Sequence, residues 1–180
     1  AEPHWRQPQR KISLNALLVG ETRGIVATLT LELIEQGSGS LYPTPELAFV
    51  RRDPTFRQAE EHARLFTNLS ATEYDVRWRL QRRDDQTISA LTGSSMGLTL
   101  ALGLTKLLAG ELHPLEMASI GGTASVESDG TLHKVGGLWQ KLGEHTIDLA
   151  RRGLLRTVVV AAEQDDVPPE YLHDDAELLQ

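Results

Sequence analysis

One segment of this chain predicts a helix that is apolar on nearly every side. Residues 98–108 are rich in leucine, and their apolar positions leave no continuous polar face at helical spacing. Gly110 follows directly and predicts the end of the helix. A helix without a polar face cannot lie on a surface, so the fold must bury it.

Periodicity and turn residues predict the elements before this helix. The run from Ile25 to Leu33 alternates between apolar and less apolar residues with a period of two, which is typical of a half-buried strand. Asp53 and Pro54 predict a helix start, as N-cap and first helical residue. The apolar face of that helix would comprise Phe56, Ala59, Ala63 and Phe66. Strands are predicted over 11–19, 25–33, 74–80 and 87–91.

The second half predicts further strands mixed with helices. Strands over 117–126 and 131–135 would be joined by a hairpin turn at Asp129-Gly130. A helix is predicted over 138–152, ended by Gly153, and it is followed by a strand over 157–162. The valines at 158–160 suggest a strand buried on both faces. Strands come first and then alternate with helices, so we predict an α+β fold.

Length and composition indicate one soluble globular domain. The 180 residues are 40% hydrophobic and 24% charged, and no apolar run approaches the roughly 20 residues needed to cross a bilayer. We expect residues 1–10 to be a linker or the edge of a cloned segment, and residues 11–180 to form the domain. Cysteine is absent, which excludes disulfides, a thiolate nucleophile and a cysteine zinc site, and which is compatible with a cytoplasmic location.

The charge distribution argues against nucleic-acid binding. The formal net charge is -7, and the acidic segment 163–180 contains no lysine or arginine. The basic pairs at 51–52, 82–83 and 151–152 are isolated and have no aromatic platform, so we expect them to be solvated surface. The histidines at 113, 133, 145 and 173 are dispersed and lack the spacing of a zinc site.

Ser95 is the best nucleophile candidate. It lies in Gly93-Ser94-Ser95-Met96-Gly97, between a predicted strand and the buried helix. Unpaired amides of the first helical turn, at the positive end of the helix dipole, would then lie near its oxygen and could stabilise an oxyanion. The glycines would permit a tight turn and close approach of a substrate.

Lys141 is the candidate base that would activate this serine. It follows a glycine pair in Gly136-Gly137-Leu138-Trp139-Gln140-Lys141, and on a helical wheel it borders an apolar stripe. An unperturbed lysine is almost fully protonated at pH 7, and forming the neutral amine that a general base requires would cost about 4.6 kcal/mol. Burial beside apolar groups would reduce this cost by disfavouring the ammonium.

Residues 92–160 resemble the proteolytic domain of the Lon peptidase family. The serine motif resembles the family's Gly-Pro-Ser-Ala-Gly, with Ser94 and Met96 as substitutions beside the nucleophile. The family's later block of Thr-Gly-Glu, Arg-Gly and Gly-Gly-Leu-Lys-Glu-Lys aligns with residues 123–125, 129–130 and 136–141. The resemblance implies that Ser95 and Lys141 form a catalytic dyad and that Thr123 orients the lysine. It also implies a Lon-type fold of mixed sheets packed by helices.

The chain departs from the family pattern at three positions near this site. Trp139 replaces the first lysine of the block, Ser125 replaces a glutamate, and Thr92 replaces an acid before the nucleophile. Trp139 would fill or close a substrate pocket, or simply pack. The resemblance implies peptide-bond hydrolysis of a polypeptide substrate without metal or cofactor. It also implies a homo-oligomer fused to, or working with, an ATPase or sensor domain. The sequence has no phosphate loop, so any ATP dependence would come from elsewhere.

Two other interpretations of the sequence remain open, an esterase and an inactive docking module. The serine motif also fits the Gly-x-Ser-x-Gly elbow of α/β-hydrolases, with Asp148 and His173 as later triad members of an esterase. A Lon-like domain without activity could instead serve as an assembly or docking module. In that case Trp139 or Met96 would fill the space beside Ser95.

Overall fold

A computed structural model describes residues 10–19, 24–88, 94–110, 117–136, 141 and 144–164. Its strands are β1 Arg10–Val19, β2 Gly24–Ile34, β3 Leu41–Pro43, β4 Asp75–Arg82, β5 Ile120–Thr123, β6 Ser125–Val126, β7 Leu132–His133 and β8 Thr157–Val160. Its α-helices are α1 Pro54–Phe66, α2 Gly97–Ala109 and α3 Glu144–Arg151, and 3-10 helices span Pro45–Arg52 and Leu69–Ala71.

Six of the described strands form one mixed sheet. Their order is β3-β4-β2-β1-β5-β8, and the short strands β6 and β7 form a separate antiparallel pair. The central hairpin β1–β2 and the pair β2–β4 are antiparallel, whereas β1–β5, β5–β8 and β3–β4 are parallel. The fold is therefore α+β, as the order of predicted elements indicated.

Helices cover the sheet on both faces. Alternate side chains of β1 and β2, including Leu14 and Leu31, pack in the main core together with Leu100 and Leu104 of α2. The side chains of Leu17 and Val26, which belong to the intervening positions of the same strands, pack instead with Leu149 of α3 and with Leu155. Because neighbouring residues of a strand point to opposite faces, α2 and α3 lie on opposite sides of the sheet.

The predictions for α1 and α2 are largely confirmed. The Asp53 carboxylate accepts hydrogen bonds from the amides of Thr55 and Phe56, so it caps α1, and Pro54 is the first helical residue. Helix α2 is buried around most of its circumference and ends at Gly110, whose φ is 74°. Within the predicted apolar face of α1, Phe66 is the exception, because 42% of its surface is exposed.

Three predictions about strands are wrong. The predicted strand 117–126 is split at Ala124 into β5 and β6, and Met117 is helical. The valines of β8 contact core residues on both faces, Val158 and Val160 in one cluster and Val159 in another, but the prediction that they are fully buried is wrong: all three are half-buried, and β8 is an edge strand of the described sheet. The described part of the predicted strand 87–91, Thr87 and Ile88, is not in a strand.

Two further predictions need adjustment. β2 is more than half-buried, because Val26 lies under α3 and Glu32, 3% exposed, is paired with Arg77 and Arg79. The basic pair at 82–83 is not solvated surface, since Arg82 is paired with Asp84 and the Arg83 guanidinium donates to Asn15. The predicted hairpin at Asp129-Gly130 does join β6 to β7. Within the described ranges, none of the helices combines the length and apolar character needed to cross a membrane.

Candidate active site

Ser95 lies in the turn that leads into α2. It is partly exposed, and its carbonyl oxygen accepts a hydrogen bond from the Ala124 amide at 3.2 Å. The Ala124 carbonyl in turn accepts from the Leu98 amide at 3.1 Å. These two bonds explain why the strand predicted over 117–126 is split. The backbone of Ala124 bonds to the serine turn instead of continuing a sheet ladder.

Gly97 lets the serine turn approach the short β6–β7 pair closely. A methyl group at Gly97 would lie 3.0 Å from Val126 Cγ1 and 3.2 Å from the Val126 amide nitrogen. The close approach that this glycine permits is therefore to the protein's own chain. The sequence had suggested that it makes room for a substrate. Gly93, the other glycine of the motif, lies outside the described residues.

Lys141 is buried, with only 4% of its surface exposed. Its Nζ donates a hydrogen bond to Thr123 Oγ1 at 2.7 Å, and Thr123 is itself fully buried at the end of β5. Burial lowers the pKa of Lys141 from 10.5 to about 8, because the buried ammonium loses hydration. At pH 7 about one amine in eleven is then neutral, compared with about one in 3,000 for a lysine with a pKa of 10.5.

Ser95 and Lys141 are attached to adjacent residues of one segment. Thr123 binds the lysine amine, and Ala124 binds the serine backbone. Consecutive Cα atoms are about 3.8 Å apart, so the two candidate residues are anchored close together. Within the described part of the chain no hydrogen bond joins Ser95 to Lys141, and the amine is bonded to Thr123 instead.

Sequence reasoning missed two contacts that hold the chain around Lys141. The Thr146 hydroxyl, on α3, donates to the main-chain carbonyl of Lys141. Upstream, the side-chain amide of Gln164 exchanges two hydrogen bonds with the backbone of Val135, at 3.0 and 3.1 Å. The Gln164 contact depends on how two distant segments pack, whereas the Thr146 contact joins residues five apart in the sequence and was simply not considered.

The remaining predicted site residues are distributed as follows. Ser94 is partly exposed, and its carbonyl accepts from the Gly97 amide at 3.0 Å. Met96 is 4% exposed and packs in the main core, beneath the serine turn. Ser125 is partly buried and pairs with His133 across the β6–β7 ladder. Trp139 and Thr92 lie outside the described residues.

The next residues are those considered for an esterase triad and for a zinc site. Asp148 is on α3, 60% exposed, and paired with Arg152 at 3.4 Å. His173 and His113 lie outside the described residues. His133 is near-surface and lies between Glu127 and Glu163 at 3.4 and 3.5 Å. Across the described ranges there is no group of three or more histidine or acidic side chains that could hold a metal ion.

A groove of about 1160 Å³ lies beside α1. Its lining includes Tyr42, Arg57 and the buried Glu60, but neither Ser95 nor Lys141. Glu60 accepts a hydrogen bond from Trp78 Nε1 at 2.8 Å and pairs with Arg51 at 3.0 Å, while burial raises its pKa. These contacts give Glu60 a structural role. Within the described residues, the Ser95 region rather than this groove brings a nucleophile candidate near a buried amine of lowered pKa.

Comparison with known proteins adds no family assignment. No protein-family model matches this chain, and no curated protein sequence matches it.

Proposed function

We propose that this domain is a Lon-like serine peptidase that hydrolyses peptide bonds with Ser95 as nucleophile and Lys141 as general base. The observation that carries the proposal is the buried Lys141 amine, bonded to Thr123 and next to the segment that holds Ser95. No carboxylate of the described residues pairs with Lys141; a buried lysine in such surroundings costs stability, and such groups cluster at functional sites.

The reaction needs a proton transfer between the two side chains. Neutral Lys141 takes the proton of the Ser95 hydroxyl as the oxygen attacks the substrate carbonyl. The resulting ammonium donates that proton to the leaving amine, and an acyl-enzyme ester remains. Water then attacks this ester with the lysine again as the base, and the lysine returns the proton to the departing Ser95 oxygen, so that the acid product is released and the serine is restored. With a pKa of about 8, forming the neutral Lys141 amine at pH 7 costs about 1.4 kcal/mol.

Thr123 fixes the position of the Lys141 amine before the proton transfer. Its hydroxyl accepts from Lys141 Nζ, so it fixes the direction of the lysine side chain without adding a charge. The amine has to exchange part of this contact for one with the Ser95 hydroxyl when the substrate binds. Catalytic hydrogen bonds are often long or absent without substrate and tighten in the complex.

The oxyanion donors can be narrowed to two amides. The amides of Gly97 and Leu98 already donate to Ser94 and Ala124. The amides of Ser95 and Met96 donate to no described residue. We assign the developing negative charge to these two groups, at the positive end of α2.

The resemblance to Lon peptidases extends the proposal to partners. We propose a polypeptide substrate delivered in an unfolded state, a homo-oligomeric assembly, and a cytoplasmic ATPase or sensor domain that supplies substrates. The isolated domain would then cleave short or unfolded peptides slowly and folded proteins hardly at all.

Hydrolysis of unfolded casein and of a mixed peptide library tests the proposal. We expect cleavage by the wild type and no cleavage by Ser95→Ala or Lys141→Met, while Ser70→Ala, at an exposed serine of the 3-10 helix Leu69–Ala71, keeps wild-type activity. Cleavage by Ser95→Ala at the wild-type rate would show that the activity does not come from this site.

The second candidate is a docking module of the same ancestry. It is favoured by one observation, that the Lys141 amine bonds to Thr123 and not to Ser95. An inactive module would show no cleavage under any condition tested, including addition of unfolded substrate at pH 9, where most of the lysine is neutral.

A further inference from the structure

Thr146 makes an unusual hydrogen bond for a helical threonine. The hydroxyls of Thr67 and Thr105 donate to the carbonyl four residues before, which is the common pattern in helices. The Thr146 hydroxyl donates to the carbonyl of Lys141, five residues before; Lys141 is itself helical but precedes the first residue of α3, Glu144. The contact therefore joins the helix to the lysine residue and does not belong to the helix alone.

Both ends of this contact are buried. Thr146 and Lys141 are each 4% exposed, so a lost partner could not be replaced freely by water. Helix α3 is a firm anchor, because Leu149, 2% exposed, packs with Leu17 and Val26 of the central hairpin. The Lys141 backbone is thus tied to one side of the sheet.

The lysine is held at two points by two hydroxyl groups. Thr123 on β5 binds its amine, and Thr146 on α3 binds its carbonyl. The lysine side chain has four rotatable bonds, so fixing the amine alone leaves the backbone and the chain path free to shift. Fixing both ends defines where the amine can reach, which is the requirement for transfer to Ser95.

We propose that Thr146 is a positioning residue, which fixes the Lys141 backbone so that the amine can reach both Thr123 and Ser95. The inference rests on the proposed function, since it concerns the accuracy of that dyad. Thr146 does not touch the reacting atoms. It acts only through the lysine, as outer groups do for catalytic side chains.

Thr146→Val, Thr146→Ser and a control, Thr67→Val, test this role. Valine keeps the shape of threonine without the hydroxyl, whereas serine keeps the hydroxyl. Thr67 is a partly buried threonine at the end of α1, and its hydroxyl also donates to a backbone carbonyl. The measurements are the rate of peptide hydrolysis and the rate of Ser95 labelling by a fluorophosphonate between pH 6.5 and 10, with thermal unfolding of each variant.

We expect Thr146→Val to lower kcat by about 10- to 100-fold and to leave KM within about twofold of the wild-type value. The reason is that a displacement of the Lys141 amine by about 1 Å lowers the rate of the chemical step by a factor of this order. The midpoint of its pH profile should move above the wild-type value of about 8, since a less confined amine gains hydration. Thr146→Ser should recover most of the rate, and Thr67→Val should match the wild type. A loss of stability alone would not move the pH midpoint.

Thr146→Val with wild-type kcat and an unchanged midpoint would overturn the inference, as would Thr146→Ser with as little activity as the valine variant. If the valine variant does not fold, Thr146→Ala is compared with Thr146→Ser by the same criteria. Wild-type protein without hydrolysis or Ser95 labelling would refute the proposed function itself, so the two failures are distinguishable.

Discussion

Replacement of Lys141 by methionine removes an amine that is costly to charge in the folded protein. Burial lowers the pKa of Lys141 from 10.5 to about 8, while the unfolded chain keeps the ordinary value. At 1.36 kcal/mol per pKa unit, this difference lowers the wild-type free energy of unfolding by about 3 kcal/mol at pH 7.

The pH dependence has a definite sign. Between the two pKa values the unfolded chain binds more protons than the folded one, so wild-type stability rises as the pH increases. The penalty is fully present below pH 8, falls to about 2 kcal/mol at pH 9 and about 1 kcal/mol at pH 10, and disappears above the unfolded pKa. Methionine also removes the hydrogen bond to Thr123, which adds an offset that does not depend on pH.

Urea unfolding of wild type and Lys141→Met at pH 7, 8, 9 and 10 measures this directly. The difference between the two proteins should change by about 2 to 3 kcal/mol over that range, in favour of the wild type as pH rises. Titration of all other groups cancels in the difference. Lys11→Met, at an exposed position on β1, is the matched control. A difference of the same size at pH 7 and pH 10 would refute the claim that the amine is buried with a lowered pKa.

Two further predictions concern activity and packing. Peptide hydrolysis by the wild type should increase through a midpoint near pH 8, since only neutral Lys141 accepts the proton, and a rate independent of pH from 6.5 to 9.5 would exclude this lysine as the base. Gly37→Ala should lower stability by about 2 kcal/mol or more, because its methyl group would lie 2.3 Å from the Asp75 backbone nitrogen. At Gly136 an added methyl group would meet no atom of the described residues within 4 Å, apart from its chain neighbours, so Gly136→Ala should change stability by less than about 0.5 kcal/mol. Equal effects of the two substitutions in urea unfolding would contradict both packing arguments.

The elements with strong local signals could be predicted from the sequence. The start of α1 follows from the capping geometry of Asp53 and Pro54, and the burial of α2 follows from its lack of a polar face. The resemblance to Lon peptidases named Thr123 as the partner of Lys141, and the structure contains that hydrogen bond. The catalytic roles of these residues stay predictions.

The features that depend on distant contacts could not be predicted. Nothing in the sequence around Ala124 signals a break, because the break arises from hydrogen bonds to Ser95 and Leu98. The valines of β8 resemble an interior strand, but the position of a strand in a sheet depends on the whole topology. The hydrogen bonds between Gln164 and the Val135 backbone likewise join segments 29 residues apart in the sequence.

Reaction of the domain with a fluorophosphonate probe, followed by peptide mass spectrometry, tests the central claim most directly. The account predicts that the wild type is labelled at Ser95, and that labelling is lost in Lys141→Met although the serine and its turn are unchanged. Labelling at other serines only, or labelling of Ser95 at the same rate without the lysine amine, would contradict it.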